Sequence, residues 1–417
     1  MRGKLVALLL LPALLAGCSA PTSAPRVAGA TDLTPKHEAG DRGDFQAKPQ
    51  ADAAIGNLGA DLLRAVRQPG ENTLLSPLSV ALALSMTANG AAGDTRAEFE
   101  ALLGAEVNTL NENAASLLAD YLSLEGSTQS AVANSLWVDQ GMTAKDLFLE
   151  RCAGFYQAGV YQADLDTERA KDAVNDWISQ VTRGMIPQML QKPLPEETAL
   201  LLANALWLKT TWAEEFDPSG THTRPFTAAD GAVTDTGFLS NGIRTEQYFR
   251  TEDAAGVVLP YDDGRLAFLA VLPDGDLDGW LEGVDGETFS SLLEAAEDAT
   301  VSLCLPKFEA EWGGNLSDAL KGMGLEAAFD PGLADFSALG TTAEGLPLFV
   351  SSVDHRARIE VNEKGTEAAA ATVVAMPAGA EPPAERVELI FDRPFCYAVV
   401  DLERGVPLFL GTFETVE

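Results

Sequence analysis

Apolar residues return along the chain in two rhythms. From Ile55 to Val66 they recur every three to four positions, as on one face of a helix, and the run stops at Pro69-Gly70. Pro77 to Ala88 is apolar on every side and follows Ser76, an N-cap with proline at the first helical position. This predicts a buried helix ending at Asn89-Gly90. Asp172–Gln180 and Leu316–Met323 also read as helices, the second stopped by Gly324. Extended runs fall at Ala131–Val138, Leu200–Leu208, Val257–Leu259, Leu266–Leu272, Thr300–Leu305, Arg356–Val361, Leu389–Ile390, Tyr397–Val400 and Leu408–Phe413. Helices crowd the first half and strands the second, without regular alternation, which predicts an α+β fold. Nothing divides residues 53–417, so one domain is expected there. Residues 18–52 carry few large apolar side chains and read as a flexible tether that includes a solvated His37.

The first residues change the picture of where the chain acts. Arg2 and Lys4 precede an apolar run from Leu5 to Leu15, too short to cross a bilayer, followed by Leu15-Ala16-Gly17-Cys18. This segment resembles a bacterial lipoprotein signal, which implies removal of residues 1–17 and lipid attachment at Cys18. An extracellular or cell-envelope location on a membrane is then expected. The net charge of −34 repels anionic membranes and nucleic acid, and no basic footprint for nucleic acid exists. The three remaining cysteines, Cys152, Cys304 and Cys396, cannot all pair. They read as buried free thiols.

Catalytic signatures are missing. There is no G-x-S-x-G, H-E-x-x-H or Walker loop, and Gly322-Met-Gly-Leu-Glu-Ala follows a helix where a nucleotide fingerprint needs a strand. The histidines, His37, His222 and His355, are too scattered for a metal site. No catalytic residue, metal or cofactor is expected.

Five segments, in order, carry a resemblance to a known family: Asn72 to Gly93, Leu202 to Asp217, Leu305-Pro-Lys-Phe with Leu316–Phe329 and Ala334-Asp-Phe-Ser, His355 to Thr372, and Asp392-Arg-Pro-Phe with Leu408-Phe-Leu-Gly. They resemble the serpins. The resemblance implies the serpin fold: three β-sheets, eight or nine helices and an exposed reactive loop. It implies a monomeric suicide inhibitor of serine (alternatively cysteine) endopeptidases, and no enzyme. The protease attacks the loop and forms an acyl-enzyme; the cut loop then enters the main sheet as a new strand and carries the protease with it.

The hinge has the chemistry such an entry needs. Residues 365–376 contain no proline, which would remove a ladder donor. Gly365, Thr366, Ala368, Ala369, Ala370, Ala371 and Thr372 are small, and Glu367 falls on the face opposite Thr366. Roughly a dozen new backbone hydrogen bonds, at ~0.5–1.5 kcal/mol each, would contribute on the order of 10 kcal/mol. Beyond the hinge, Pro377, Gly379, Pro382 and Pro383 keep the segment extended. The family's hinge length places the scissile bond at Gly379–Ala380, within a window from Ala378 to Glu381. Small uncharged residues there fit an elastase-like or subtilisin-like target.

By the same resemblance, Ser76, Ser79, Asn204 and His355 form the shutter, a buried polar cluster under the sheet. Trp212, Lys307 and Glu363 form the breach, where entry begins. Two other functions stay open: a serpin-fold binding or scaffold protein that does not inhibit, and a lipid-anchored solute-binding protein.

Overall fold

The computed structural model describes residues 27–34, 45–124, 126–196, 198–342, 345–366 and 386–416. Nine helices lie among them: α1 Pro49–Val66, α2 Pro77–Ala88, α3 Gly93–Leu102, α4 Val107–Leu122, α5 Asp146–Tyr156, α6 Glu168–Val181, α7 Leu277–Glu282, α8 Thr288–Glu294 and α9 Ser317–Gly322. With three sheets, they give the expected α+β architecture.

The first sheet has seven strands: β1 Thr31–Asp32, β3 Gln129–Asp139, β5 Gly159–Ala163, β6 Leu200–Thr211, β13 Phe308–Asn315, β15 Val350–Asn362 and β16 Gly365–Thr366. Their order is β1-β5-β3-β6-β16-β15-β13, and β6 also pairs β15 directly. The second sheet has ten: β2 Thr73–Leu75, β7 His222–Thr227, β8 Val233–Leu239, β9 Ile243–Arg250, β10 Ala254–Pro260, β11 Leu266–Pro273, β12 Glu297–Pro306, β17 Val387–Ile390, β18 Phe395–Asp401 and β19 Pro407–Phe413. The small third sheet pairs β4 Met142–Ala144 with β14 Gly340–Thr342.

Helix α2 explains its own composition. Ser76 accepts a hydrogen bond from Ser79 N at its start, and every residue of the helix is buried. It packs against β19 of one sheet and β3 and β6 of the other, so no side of it meets water. The three thiols are buried and free, as expected.

Several boundaries differ from the sequence reading. Helices α3, α4 and α5 and the β7–β8 hairpin were not foreseen. In α3 only Thr95 and Phe99 are buried, a stripe too thin to register as amphipathic. The stretch expected as a free tether is partly fixed. Thr31 and Asp32 pair with Gln162 and Tyr161 of β5, Val27 is buried, and α1 already begins at Pro49. Backbone hydrogen bonds to a sheet edge need no apolar periodicity, so composition could not reveal them. Residues 1–26, with Cys18, lie outside the described residues.

Candidate functional site at the centre of the seven-stranded sheet

The middle of the first sheet is its least uniform part. Strands β6 and β15 run parallel and pair from Val350↔Leu200 to Ala357↔Leu206. Further along they are separated by β16, whose Gly365 and Thr366 lie antiparallel to both: Thr366 opposite Thr210 and Val361, Gly365 opposite Thr211 and Asn362. Two hinge residues therefore already stand in the position of a central strand. A Cβ at Gly365 would lie 2.2 Å from Thr210 O, and its φ of +149° also favours glycine. Thr366 is buried, and its hydroxyl shares a 2.7 Å hydrogen bond with Tyr261 OH. Burial raises the Tyr261 phenol well above its usual range, so it stays neutral.

Beside this wedge sit the three residues expected to form the breach. Trp212 N donates to Lys364 O and Trp212 Nε1 to Asn362 O, each at 2.9 Å, which pins the turn between β15 and β16. The Trp212 ring stacks on Tyr261, centroids 4.9 Å apart. Lys307 Nζ lies 2.9 Å from Glu363 Oε2, and Thr221 donates to Glu363 Oε1. Burial pushes the Glu363 carboxyl up, but the hydrogen bonds from Lys307 and Thr221 outweigh it and hold the group below the usual glutamate range. All three expected breach residues therefore meet where Gly365 and Thr366 enter the sheet.

Lower in the seam lie the four residues expected to form the shutter. Asn204 of β6 and His355 of β15 face each other in register. Ser76 N donates to His355 Nε2 at 3.0 Å, which leaves the proton on Nδ1, 3.0 Å from Asn204 Oδ1. Ser79 Oγ donates to the same Asn204 oxygen, and Asn204 Nδ2 donates to Ser79 O and Asn134 Oδ1 at 2.5 Å. Burial holds the His355 imidazole neutral and lowers its pKa to about 3. Every hydrogen-bonding position of Asn204 is used, and the network bridges β3, β6, β15 and α2.

The structure thus brings together Ser76, Ser79, Asn204 and His355, and separately Trp212, Lys307, Glu363, Gly365 and Thr366. Glu367, Ala368, Ala369, Ala370, Ala371, Thr372, Gly379 and Ala380 lie outside the described residues. Sequence reasoning missed Asn134 and Tyr261. Asn134 carried a signal, a polar amide inside the strand-like run Ala131–Val138. Tyr261 carried none. Among the described residues no cluster of three or more His, Cys, Asp or Glu can hold a metal.

A sequence model of the family described as Serpin (serine protease inhibitor) matches residues 53–416. Serpin-ZXA of Oryza sativa subsp. japonica is 34% identical over 359 residues, covering 82% of this chain and 89% of that protein. The crystal structure of a thermophilic serpin, tengpin, in the native state superposes with a TM-score of 0.86 at 30% identity, covering 93% of this chain and 100% of that one. The latent state of tengpin superposes with a TM-score of 0.75 at 28% identity, covering 89% and 99%. Serpin-ZXA and Serpin-Z2B of Triticum aestivum are plant proteins, and they lend no support to a bacterial or lipoprotein origin. These matches, over a fold whose central parallel seam holds Gly365 and Thr366 between its strands at one end, mean that the chain belongs to the serpin family of protease inhibitors and is not an enzyme.

Proposed function

We propose that this serpin inhibits serine endopeptidases by letting its cleaved reactive loop enter between β6 and β15. The observation that carries the reading is the position of β16, which starts a strand antiparallel to both neighbours. Entry would replace one parallel interface by two antiparallel ones, and antiparallel pairing is slightly more stable per residue. Continuing the β16 register by six residues brings Thr372 opposite both Asn204 and His355. Thr372 shares the inward face of Thr366. Separating β6 from β15 by a strand moves Asn204 and His355 about 10 Å apart and breaks their hydrogen bond. The Thr372 hydroxyl has the donor and acceptor that each then lacks.

Small residues about Gly379–Ala380 favour an elastase-like or subtilisin-like target. A smooth hinge disfavours the non-inhibitory alternative. The Leu-Ala-Gly-Cys motif favours a lipid anchor at Cys18 and a cell-envelope location. Among the described residues a solute-binding role has no structural feature in its favour.

Incubation with subtilisin and with elastase should give a complex that survives SDS, and mass spectrometry of the released peptide should locate the cut between Ala378 and Glu381. The nicked protein should melt about 10–15 °C above the intact one, the scale of ~10 kcal/mol spread over a chain of this size. Turnover of the chain as a plain substrate, with no rise in melting temperature, would overturn the proposal.

A further inference from the structure

Two Asn-Gly pairs occur in the chain, Asn89-Gly90 and Asn241-Gly242, and the fold treats them oppositely. Asn89 ends α2 in a helical conformation and is buried. Its Nδ2 donates to Ser85 O at 3.0 Å and to Asn111 Oδ1 at 2.8 Å, and its Oδ1 accepts from Asn111 Nδ2 at 2.9 Å. Gly90 N donates to Thr87 O at 2.9 Å. The amide and the N–H that follows it are both committed.

Asn241-Gly242 joins β8 to β9, which both lie antiparallel to β12. Leu239 pairs with Leu305 and Ile243 with Ser302, so four steps (239 to 243) face three (302 to 305). The extra residue makes a bulge and takes Gly242 N out of the ladder. Its N–H donates instead to Ser240 Oγ, at a long 3.3 Å. Gly242 is exposed, its φ is +73°, and a Cβ there would meet nothing within 4 Å, so solvent reaches the nitrogen. Asn241 is half-buried. Its Oδ1 accepts from Asp217 N at 2.8 Å, and its Nδ2 donates to Glu215 O at 3.3 Å. The two segments are pressed together, since a Cβ at Gly220 would lie 2.1 Å from Ser240 O.

We propose that Asn241-Gly242 is a self-modifying site, at which Gly242 N attacks Asn241 Cγ and the side-chain amide leaves as ammonia. The attacking atom belongs to the next residue, so no encounter is needed, and glycine offers no side chain to hinder the approach. As the N–C bond forms, Ser240 Oγ takes the Gly242 proton while its own hydroxyl proton passes to water or hydroxide. Negative charge develops on Asn241 Oδ1, at which Asp217 N already points. The NH2 group takes a proton from solvent and leaves, which closes a cyclic imide. Water then opens the ring at either carbonyl, to give aspartate or isoaspartate. The net change is one water consumed and one ammonia released, with no oxidant or reductant. The reaction needs no protease and no loop entry.

The product carries one more negative charge and has no donor for Glu215 O. That tie steadies the segment before β7, whose Phe216 N donates to Glu363 O at 2.7 Å. Modification therefore loosens the chain beside the turn between β15 and β16.

The test ages the full chain in warm, mildly alkaline buffer and follows residues 241 and 89 by peptide mass spectrometry, which records the exchange of NH2 for OH. Asn241 should convert at least about tenfold faster than Asn89, whose reaction must first break several buried hydrogen bonds. Ser240→Ala and Asp217→Pro should each slow the conversion about two- to tenfold, the equivalent of one hydrogen bond. Proline suits position 217, where φ is −69°, and removes the N–H. Asp217→Ala, which loses the carboxylate and keeps the N–H, should not slow it. The modified fraction, separated by anion exchange, should exchange its Phe216 amide hydrogen about two- to tenfold faster than the parent. Conversion at Asn241 no faster than at Asn89 would overturn the proposal. So would a rate that Ser240→Ala and Asp217→Pro leave unchanged or raise, because the dipeptide alone would then account for it. Equal exchange at Phe216 would overturn the link to the Glu363 turn.

Discussion

The two large sheets differ less in their apolar content than in what crosses their middles. In the ten-stranded sheet, β10, β11, β18 and β19 form a continuous antiparallel ladder, and every residue of β11, β18 and β19 is buried. Phe268 of β11 stacks on Tyr397 of β18, so packing repeats what the hydrogen bonds dictate. In the seven-stranded sheet the central pair is parallel, pairs over only part of its length, and rests on a polar cluster. The ten-stranded sheet is therefore complete, whereas the seven-stranded one is closed by bonds that the proposed strand entry would exchange. A buried polar network has alternative partners available to it; a packed apolar ladder does not.

That contrast is breakable, beginning with its largest effect. Thr366→Arg would force a cation against Tyr261 inside the seam, at a cost of several kcal/mol. Protease trapping should fall by at least about a hundredfold while cleavage of the loop continues, as read by SDS-stable complex against cleaved product. Retained trapping would mean that the hinge need not enter.

Next, Leu269→Ala in the ten-stranded sheet should cost about 2–5 kcal/mol of stability in denaturant titration. Consumption of inhibitor per protease trapped should stay unchanged. Asn204→Ala should cost less, about 1–3 kcal/mol, yet change that ratio, because it removes the hydrogen-bond partner of Ser79 Oγ, Asn134 Oδ1 and His355 Nδ1. If both variants move the ratio alike, the two sheets are not functionally distinct.

A smaller effect follows from His355. Above pH 6.5 the imidazole is neutral in folded and unfolded chains and adds no pH dependence. As the pH falls from 6.5 towards about 3, the unfolded chain takes up a proton that the buried ring refuses, so stability declines. The slope from this group is about tenfold in the folding constant per pH unit across that window. His355→Gln should flatten it by that amount in melts at fixed ionic strength. An unchanged slope would mean that the ring is protonated within the fold. Smallest of all, Lys307→Ala should change stability by about 0–1 kcal/mol, since the ammonium is half exposed. A larger loss would make the breach ion pair a main support of the native seam.

Much of the site was legible because its chemistry is local. Ser76-Pro77 announces a helix start, and the glycine at 365 announces a close approach. The shutter set came from matched positions, and the hydrogen bonds join the four residues named. Asn134 and Tyr261 were not legible as members of the seam. Each is tied to residues at least 70 positions away, by a contact that no periodicity encodes. The docking of Val27, Thr31 and Asp32 was hidden for the same reason.

By itself the sequence determined which segments are apolar, where helices and turns begin, and that the hinge carries neither proline nor an inward charge. Those properties follow from neighbouring residues and the covalent backbone. Tertiary structure alone decided that β6 and β15 lie side by side and parallel, that β16 stands between them at one end, and that Asn204 meets His355. The reason is physical. Strand pairing across more than a hundred residues is chosen by the packing of the whole chain, and backbone hydrogen-bonding groups are alike at every position until that packing selects among them.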